Sequence, residues 1–218
     1  MRISSRVRML TEPEGEAVAV RLLREYFTPW PMGRFTGSRF ESLGGGGDRP
    51  EIADVFTSED LVAVSCLAVE IPSSAALQIL ELQSRRLNDL LHEIPADLAL
   101  VRVDPSDITT GWPAWDLYYE LKAIDGLGVT KVSKLLARKR PHLIPIRDKY
   151  VASELSLADA FWLPLAGELR EGNSALHKRL LTLRSAAGLP DSVSALRILD
   201  VLTWRAAKGH LHELPPVR

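Results

Sequence analysis

The chain has 218 residues, of which 46% are hydrophobic and 25% are charged, and its formal net charge at pH 7 is −1. This composition supports a sizeable core and excludes both a disordered chain and a protein that is basic over its whole surface. A single cysteine, Cys66, excludes an internal disulfide and an iron–sulfur cluster with cysteine ligands, and we expect it to be a small core residue. Because the sequence shows no secretory segment and no apolar run of ~18 residues, we expect a cytoplasmic protein with no membrane partner.

The N-terminal quarter of the chain combines a helix with an irregular loop. Apolar residues at helical spacing predict a helix from Glu14 to Phe27. The segment 28–50 follows, and its four consecutive glycines, 44–47, predict a mobile loop. The segment also interleaves aromatic residues with arginines, a mixture that can stack on bases and bind phosphates or can equally pack into a core. These residues are Trp30, Arg34, Phe35, Arg39 and Phe40.

Helices are also predicted along most of the remaining chain. Capping and apolar residues indicate a buried helix over 58–70 and an amphipathic helix over 75–94. The run 99–103 is too short to assign to a strand or to a helix. Beyond residue 156, apolar spacing predicts three helices, over 157–169, 175–187 and 193–208. We therefore predict a mostly α fold with at most a minor sheet, in which an N-terminal helix and loop (1–57) and a helical domain (58–218) form one compact unit.

The stretch 115–155 organises the chain, because it indicates two helices joined by a glycine hairpin and followed by an extended run. The hairpin glycines, Gly126 and Gly128, interrupt the helical pattern, since glycines so close together are costly in a helix and supply free dihedral angles. The second helix is predicted to start near Val129. Its N-terminus follows the hairpin directly, so bare backbone N–H groups are expected where the helix dipole favours an anion.

Basic residues are concentrated just after the hairpin. Residues 131–149 contain seven Lys and Arg against one acidic residue, Asp148. Lys131, Lys134 and Arg138 fall on one face of the predicted helix, away from its apolar face. We expect this basic stripe to contact a polyanion such as a nucleic-acid backbone. An ordinary solvated helix face has the same pattern and is the alternative.

Together, the hairpin, the basic helix and the following loop resemble the helix-hairpin-helix superfamily of DNA glycosylases, which also carries a Gly/Pro-rich loop and a catalytic aspartate. Asp148 follows Gly128 by 20 residues, comes after a proline-bounded apolar run (143–146) and opens a helix, as in that superfamily. The resemblance implies two helical lobes with the hairpin at the cleft, and a hydrolase that removes a damaged or modified base flipped out of duplex DNA. Asp148 would be the catalytic residue. It is also a favoured helix N-cap, a role compatible with catalysis.

The resemblance further implies the rest of the site. DNA contacts would come from the hairpin and its neighbours, namely Gly126, Gly128, Thr130, Lys131, Lys134 and Arg147. Thr130 stands where bifunctional members have a lysine nucleophile, so a glycosylase without lyase activity is expected. The hairpin carbonyls would hold a monovalent cation, and no catalytic metal or other cofactor is implied. Trp112, Trp115 and Tyr119 would line the base pocket, although aromatic residues at helical spacing usually belong to a core.

Two features of the sequence keep other interpretations open. A non-catalytic helix-hairpin-helix module in DNA repair, replication or phage defence would share the hairpin without needing Asp148. The end of the 58–70 helix, Val69–Glu70, matches the position of the DNA wedge of the glycosylases but lacks their usual glutamine. As a whole, the chain also resembles an uncharacterised family of small proteins from high-GC bacteria, which implies no activity.

Overall fold

A computed structural model of the protein describes residues 3–156 and 162–211, and these residues form helices and turns without any β-strand. The prediction of a mostly α fold is therefore confirmed. The α-helices are α1 (Ser5–Thr11), α2 (Glu16–Phe27), α3 (Ser58–Ser65), α4 (Ser73–Leu77), α5 (Ser84–His92), α6 (Pro113–Ala123), α7 (Val129–Lys139), α8 (Lys149–Glu154), α9 (Trp162–Ala187) and α10 (Ala195–Ala207). A π-helical turn, Gln78–Leu82, joins α4 to α5, and short 3-10 turns lie at Pro13–Gly15, Thr36–Arg39, Leu43–Gly45, Leu100–Arg102 and Pro105–Asp107. None of the described helices is both long and apolar enough to cross a bilayer.

The last helix, α10, lies at the centre of one group of helices. It packs against α1, α2, α8 and α9, so both ends of the described chain meet around it. All 13 of its residues except Trp204 and Ala207 are buried. A helix buried on nearly every side forms the middle of a core rather than its surface. A second group of contacts joins α3 to α7, α5 to α6 and α6 to α7.

Several predicted elements change where local geometry intervenes. The helix predicted over 58–70 ends at Ser65, because Ala68 adopts a left-handed backbone conformation with φ of 59°. The run 99–103 contains a 3-10 turn. The Leu100 N–H fixes this turn in place by donating to the His142 carbonyl at 3.0 Å. The break predicted near residue 170 is confirmed inside α9, where Gly172, Asn173 and Ser174 are left-handed. The predicted start of that helix, 157–161, lies outside the described residues.

Part of the glycine-rich segment, which the sequence predicts to be a mobile loop, is packed against α7. Gly46 and Gly47 are buried, and a Cβ added at Gly47 would lie 2.6 Å from the carbonyl oxygen of Arg138. The Arg138 guanidinium donates to the Glu41 carbonyl at 2.7 Å and also to the carbonyls of Phe40 and Leu43. Glycine is needed here for a close approach of two backbones rather than for flexibility.

The basic stripe is also not the exposed surface that the sequence predicted. Arg138, Lys139 and Arg140 are buried, and the first two form ion pairs with the fully buried Asp60 at 3.3 and 3.1 Å. The Arg140 guanidinium binds Asp54 at 2.5 Å and donates to the backbone carbonyls of Ala53, Leu91 and Ile94. Long basic side chains can be buried in this way because every charge meets carbonyl oxygens or a carboxylate. These cations hold the interior together and do not face solvent.

Candidate functional site

Asp148 is placed by an extended run that is fastened to α7. Leu143, Ile144 and Ile146 are buried, and the Ser133 hydroxyl pairs with both the N–H and the carbonyl of Arg147, at 3.0 and 3.3 Å. The run therefore delivers Asp148 to the start of α8 in a fixed position.

The two carboxylate oxygens of Asp148 have different surroundings. Oδ1 accepts the backbone N–H groups of Tyr150 and Val151, both at 2.9 Å, so Asp148 is the N-cap of α8. Oδ2 lies 4.0 Å from Nζ of Lys134 and accepts no hydrogen bond from the described residues. The side chain is 15% exposed. One oxygen thus caps the helix, and the other faces the Lys134 ammonium group.

Asp148 lines a cavity of about 230 Å³. Aromatic rings form one part of its lining: Tyr26 stacks on Phe35 with centroids 5.2 Å apart, and Trp204 meets both rings edge-on at 6.0 and 5.6 Å. The remaining lining comes from five parts of the chain, namely Arg34, Thr36, Gly37, Cys66, Leu67, Ala68, Lys134, Ile146, Arg197, Asp200 and Val201. An aromatic lining with a few charged groups is typical of a binding site for a small molecule.

Lys134 belongs to the interior of this cavity and not to an exposed phosphate-binding face. Only 5% of the residue is exposed, and its Nζ donates to the Leu67 carbonyl at 2.9 Å. Burial lowers the pKa of Lys134, while the negative charge of Asp148 opposes that change.

Asp200 is a second carboxylate of the cavity, which sequence reasoning missed. Burial raises the pKa of Asp200 to about 6, the Arg197 guanidinium opposes that shift, and the neighbouring Asp148 carboxylate adds to it. Arg197 holds Asp200 through Nη1, Glu41 through Nε at 2.5 Å and the Tyr26 hydroxyl through Nη2 at 2.9 Å. The one signal in the sequence is an acidic residue inside an otherwise apolar stretch of α10.

The aromatic residues predicted to form a base pocket lie elsewhere. Trp112 and Trp115 pack around Trp162, with ring centroids 5.2 and 4.2 Å from it, and Tyr119 stacks on Trp115 at 5.5 Å. None of the three predicted residues lines the cavity of Asp148. Spacing along α6 correctly grouped these rings, but it could not show which side of the molecule they face.

The glycine hairpin between α6 and α7 is exposed except for Ile124 and Leu127, which are buried. Gly126 has φ of 82°, and a Cβ there would meet Pro72 at 2.8 Å, so both backbone and packing require glycine. Gly128 has φ of −88°, and a Cβ there would meet nothing within 4 Å. No side chain caps α7, so its first N–H groups have no side-chain acceptor.

Other predicted contacts surround the hairpin. Thr130 and Lys131 are half-buried, and Nζ of Lys131 donates to the Gly126 carbonyl at 2.8 Å. One of the carbonyls expected to hold a monovalent cation is therefore occupied by an ammonium group. No group of three or more His, Cys, Asp or Glu side chains within the described ranges is placed to hold a metal ion.

A basic rim continues from the cavity towards α8. Lys208 donates to the Tyr150 hydroxyl at 2.9 Å and lies 4.2 Å above its ring, and Lys149 lies 5.1 Å from the same ring. Lys208 is also 5.9 Å from the ring of Trp204, which lines the cavity. Arg147 is half-buried beside Asp148. Cys66 is half-buried in the cavity lining instead of the core, and burial raises the pKa of its thiol.

Comparison with known proteins identifies the family of this chain but no individual relative. Neither the curated proteins nor the solved structures contain a match to it. A match to a family model covers residues 19–207, which include every lining residue of the cavity and the whole hairpin. The chain therefore belongs to the family of unknown function DUF6308.

Proposed function

We propose that the protein is a DNA-binding enzyme that removes a damaged or modified base by hydrolysing its N-glycosidic bond. The proposal rests on the position of Asp148. Its Oδ1 caps α8 and accepts both backbone hydrogen bonds, so its Oδ2 takes no part in the cap, and the residue lines a cavity with aromatic side chains. The two groups of helices, one around α10 and one around α7, would be the two lobes of a glycosylase-like architecture, with Asp148 between them.

The chemistry needs a fixed carboxylate. Positive charge develops on the sugar as the base departs, and a carboxylate near the anomeric carbon stabilises that charge and orients the attacking water. The base must first leave the duplex and enter a pocket. A cavity of about 230 Å³ is smaller than the ~300 Å³ at the lower end of ordinary ligand pockets, so it suits a single heterocycle. Tyr26, Phe35 and Trp204 would contact that heterocycle, with Trp204 nearly perpendicular to the other two rings.

The hairpin supports DNA as the partner. Neither its backbone conformation nor its packing explains glycine at position 128, where the space beside the backbone is open. A missing side chain at an uncapped helix N-terminus lets a phosphate approach the N–H groups closely. Lys131 would add positive charge at that contact. Lys149 and Lys208 would add positive charge beside the cavity.

The decisive experiment offers a panel of duplexes that carry uracil, hypoxanthine, alkylated purines, 8-oxoguanine or mismatches, and scores alkali-labile sites. We expect one class of lesion to be processed by the wild type, and we expect Asp148→Asn to bind the same duplex without releasing the base. Asp104→Asn is the matched control, because Asp104 also caps a helical turn, through the Ser106 N–H, but lies outside the cavity lining. If no duplex is processed, or if Asp148→Asn keeps wild-type activity, the enzymatic proposal fails.

The reaction should stop at an abasic site with an intact strand. Thr130 has no amine, and the amine of Lys131 is held by the Gly126 carbonyl. Borohydride should therefore trap no covalent complex between the protein and the DNA. A trapped complex would contradict this expectation and would direct attention to Lys134, the lysine that lines the cavity.

A non-catalytic DNA-binding module is the second candidate, and the open space at Gly128 favours it equally. It predicts salt-sensitive DNA binding that Asp148→Asn leaves unchanged, with no base release by any variant.

A further inference from the structure

Lys134 is a buried cation of the cavity that keeps hydrogen-bonding capacity for a ligand. A charged lysine has three N–H groups, and Nζ of Lys134 donates to the Leu67 carbonyl at 2.9 Å. Oδ2 of Asp148 lies at 4.0 Å, which is beyond hydrogen-bond distance. No other acceptor among the described residues binds this ammonium group. Because only 5% of Lys134 is exposed, its remaining N–H groups depend on an acceptor inside the cavity.

The other two cations of the lining differ from Lys134. Arg197 uses all three of its guanidinium nitrogens within the protein, where they donate to two carboxylates, to the Tyr26 hydroxyl and to a backbone carbonyl. Arg34 is exposed, so solvent screens its charge. Lys134 is therefore the lining cation best placed to bind a polar atom deep in the cavity.

The position of Lys134 beside Asp148 suits a particular kind of nucleoside. In a nucleoside of a 2-oxo pyrimidine, the anomeric carbon and the 2-oxo oxygen are arranged like the Cα and the preceding carbonyl oxygen of a trans peptide, about 2.8 Å apart. One group facing the anomeric carbon and another donating to the 2-oxo oxygen at about 2.9 Å must then lie side by side. The 4.0 Å between Oδ2 of Asp148 and Nζ of Lys134 meets this requirement.

We propose that Lys134 is a second catalytic residue, which donates a hydrogen bond to the 2-oxo oxygen of a pyrimidine base as that base leaves with a negative charge. This inference rests on the proposed function and names its substrate class, a neutral 2-oxo pyrimidine such as uracil.

The two residues act on opposite sides of the bond that breaks. As the glycosidic bond breaks, its electron pair moves onto the base, and the 2-oxo oxygen beside Lys134 carries part of the charge. The oxygen of water bonds to the anomeric carbon, and the proton that water loses passes to Asp148 and then to the departed base. A base that is already cationic leaves as a neutral molecule and gains little from a donor at this position.

The surroundings of Lys134 favour this role. Burial lowers the pKa of Lys134, while the charges of Asp148 and Asp200 oppose that change. A more acidic ammonium group forms a stronger hydrogen bond to a developing anion. The bond to the Leu67 carbonyl also fixes Nζ before the reaction begins, so little reorganisation is needed when the charge develops.

The test compares single-turnover base release from two duplexes that differ only in the departing base, uracil or 5-fluorouracil. Fluorine stabilises the anion of the base, so release of 5-fluorouracil depends less on a donor from the protein. We expect Lys134→Met to slow the release of uracil about 100-fold, as is typical when one donor to a developing oxyanion is removed, and the release of 5-fluorouracil only about tenfold. Equal slowing of the two bases would overturn the inference, because a purely structural lysine would affect both alike.

Lys131→Met is the matched control. Lys131 lies on the same helix but outside the cavity lining. Its replacement should weaken binding of the two duplexes equally and leave the ratio of their release rates at saturation unchanged.

A binding measurement separates this inference from the proposed function. Free 5-fluorouracil is more acidic than uracil, so in calorimetry at pH 8 the full-length wild type should bind it at least about threefold more tightly, and Lys134→Met should lose this preference. Should Lys134→Met fail to fold, equal affinity of the wild type for the two bases overturns the inference. Preference for 5-fluorouracil without base release in the lesion panel keeps Lys134 as the anion-binding group and removes the enzymatic proposal. Base release that Lys134→Met slows equally for both bases does the reverse.

Discussion

The structural role of Asp148 as the N-cap of α8 can be tested separately from any catalytic role. Its Oδ1 satisfies two N–H groups at the start of α8, a role that asparagine can also fill and alanine cannot. We predict that Asp148→Ala lowers the free energy of unfolding by about 1 kcal/mol, whereas Asp148→Asn changes it by a few tenths of that at most. Urea unfolding of the two variants measures the difference. Equal losses in both would mean that the charge of Asp148, and not its cap, stabilises the fold.

Asp200 makes a prediction about the pH dependence of stability. Its pKa is raised from 3.8 to about 6, so between these values the folded chain holds a proton that the unfolded chain releases. Asp200 therefore stabilises the fold fully below pH 3.8, and this contribution is lost as the pH rises through about 6. The free energy of unfolding of the wild type, relative to Asp200→Asn, should fall by about 3 kcal/mol across that window. A difference that stays constant from pH 4 to 7 would show that Asp200 titrates normally.

At the scale of single elements, the hairpin and α7 show what a sequence can and cannot predict. The interruption at Gly126 and Gly128, the start of α7 at Val129 and the cap at Asp148 depend on residues a few positions apart, and each was predicted. The helical periodicity of α7 also separated its basic face from its apolar face. It could not show that the basic face is covered, because the carbonyls that bind Arg138 and Arg140 come from residues 40–53 and 91–94, far away in sequence.

The hairpin carries its own test of DNA binding. Because Lys134 is buried, charge reversal there would disturb the fold, and Lys131 is the lysine to change. Lys131→Glu should weaken binding to all duplexes about equally and lower the salt slope by about 1, as expected for a phosphate contact. Lys178→Glu, the same change at an exposed lysine on α9, should leave both unchanged. Unaltered affinity in gel shifts with Lys131→Glu would exclude the hairpin as the contact.

At the scale of the whole molecule, the cavity is assembled from parts that no local pattern connects. Its walls come from α2, the 28–50 segment, the turn after α3, α7, the run before α8 and α10. The sequence pointed to Asp148, to Lys134 and, within the aromatic and arginine mixture, to Arg34 and Phe35. It did not point to Tyr26, Arg197, Asp200 or Trp204. Composition and periodicity determine that residues are buried, whereas the fold determines which buried residues share a cavity.

The buried ion cluster around Asp60 links these distant parts, and its removal should destabilise the whole molecule. Asp60 on α3 is completely buried and pairs with Arg138 and Lys139 of α7, and the same cations hold the 40–52 segment through its carbonyls. Asp60→Ala leaves two buried cations without a carboxylate, so we predict a loss of about 3–5 kcal/mol in the free energy of unfolding. The matched control is Glu59→Gln on the same helix, which removes a solvent-exposed pair with Arg49 and should cost at most about 1 kcal/mol. Chemical denaturation monitored by tryptophan fluorescence measures both variants. A lower denaturation midpoint for Asp60→Ala with an unchanged slope would mean that the cluster stabilises the entire fold. A loss of unfolding free energy in Asp60→Ala no larger than that of the control would show that the carbonyl groups alone stabilise these cations.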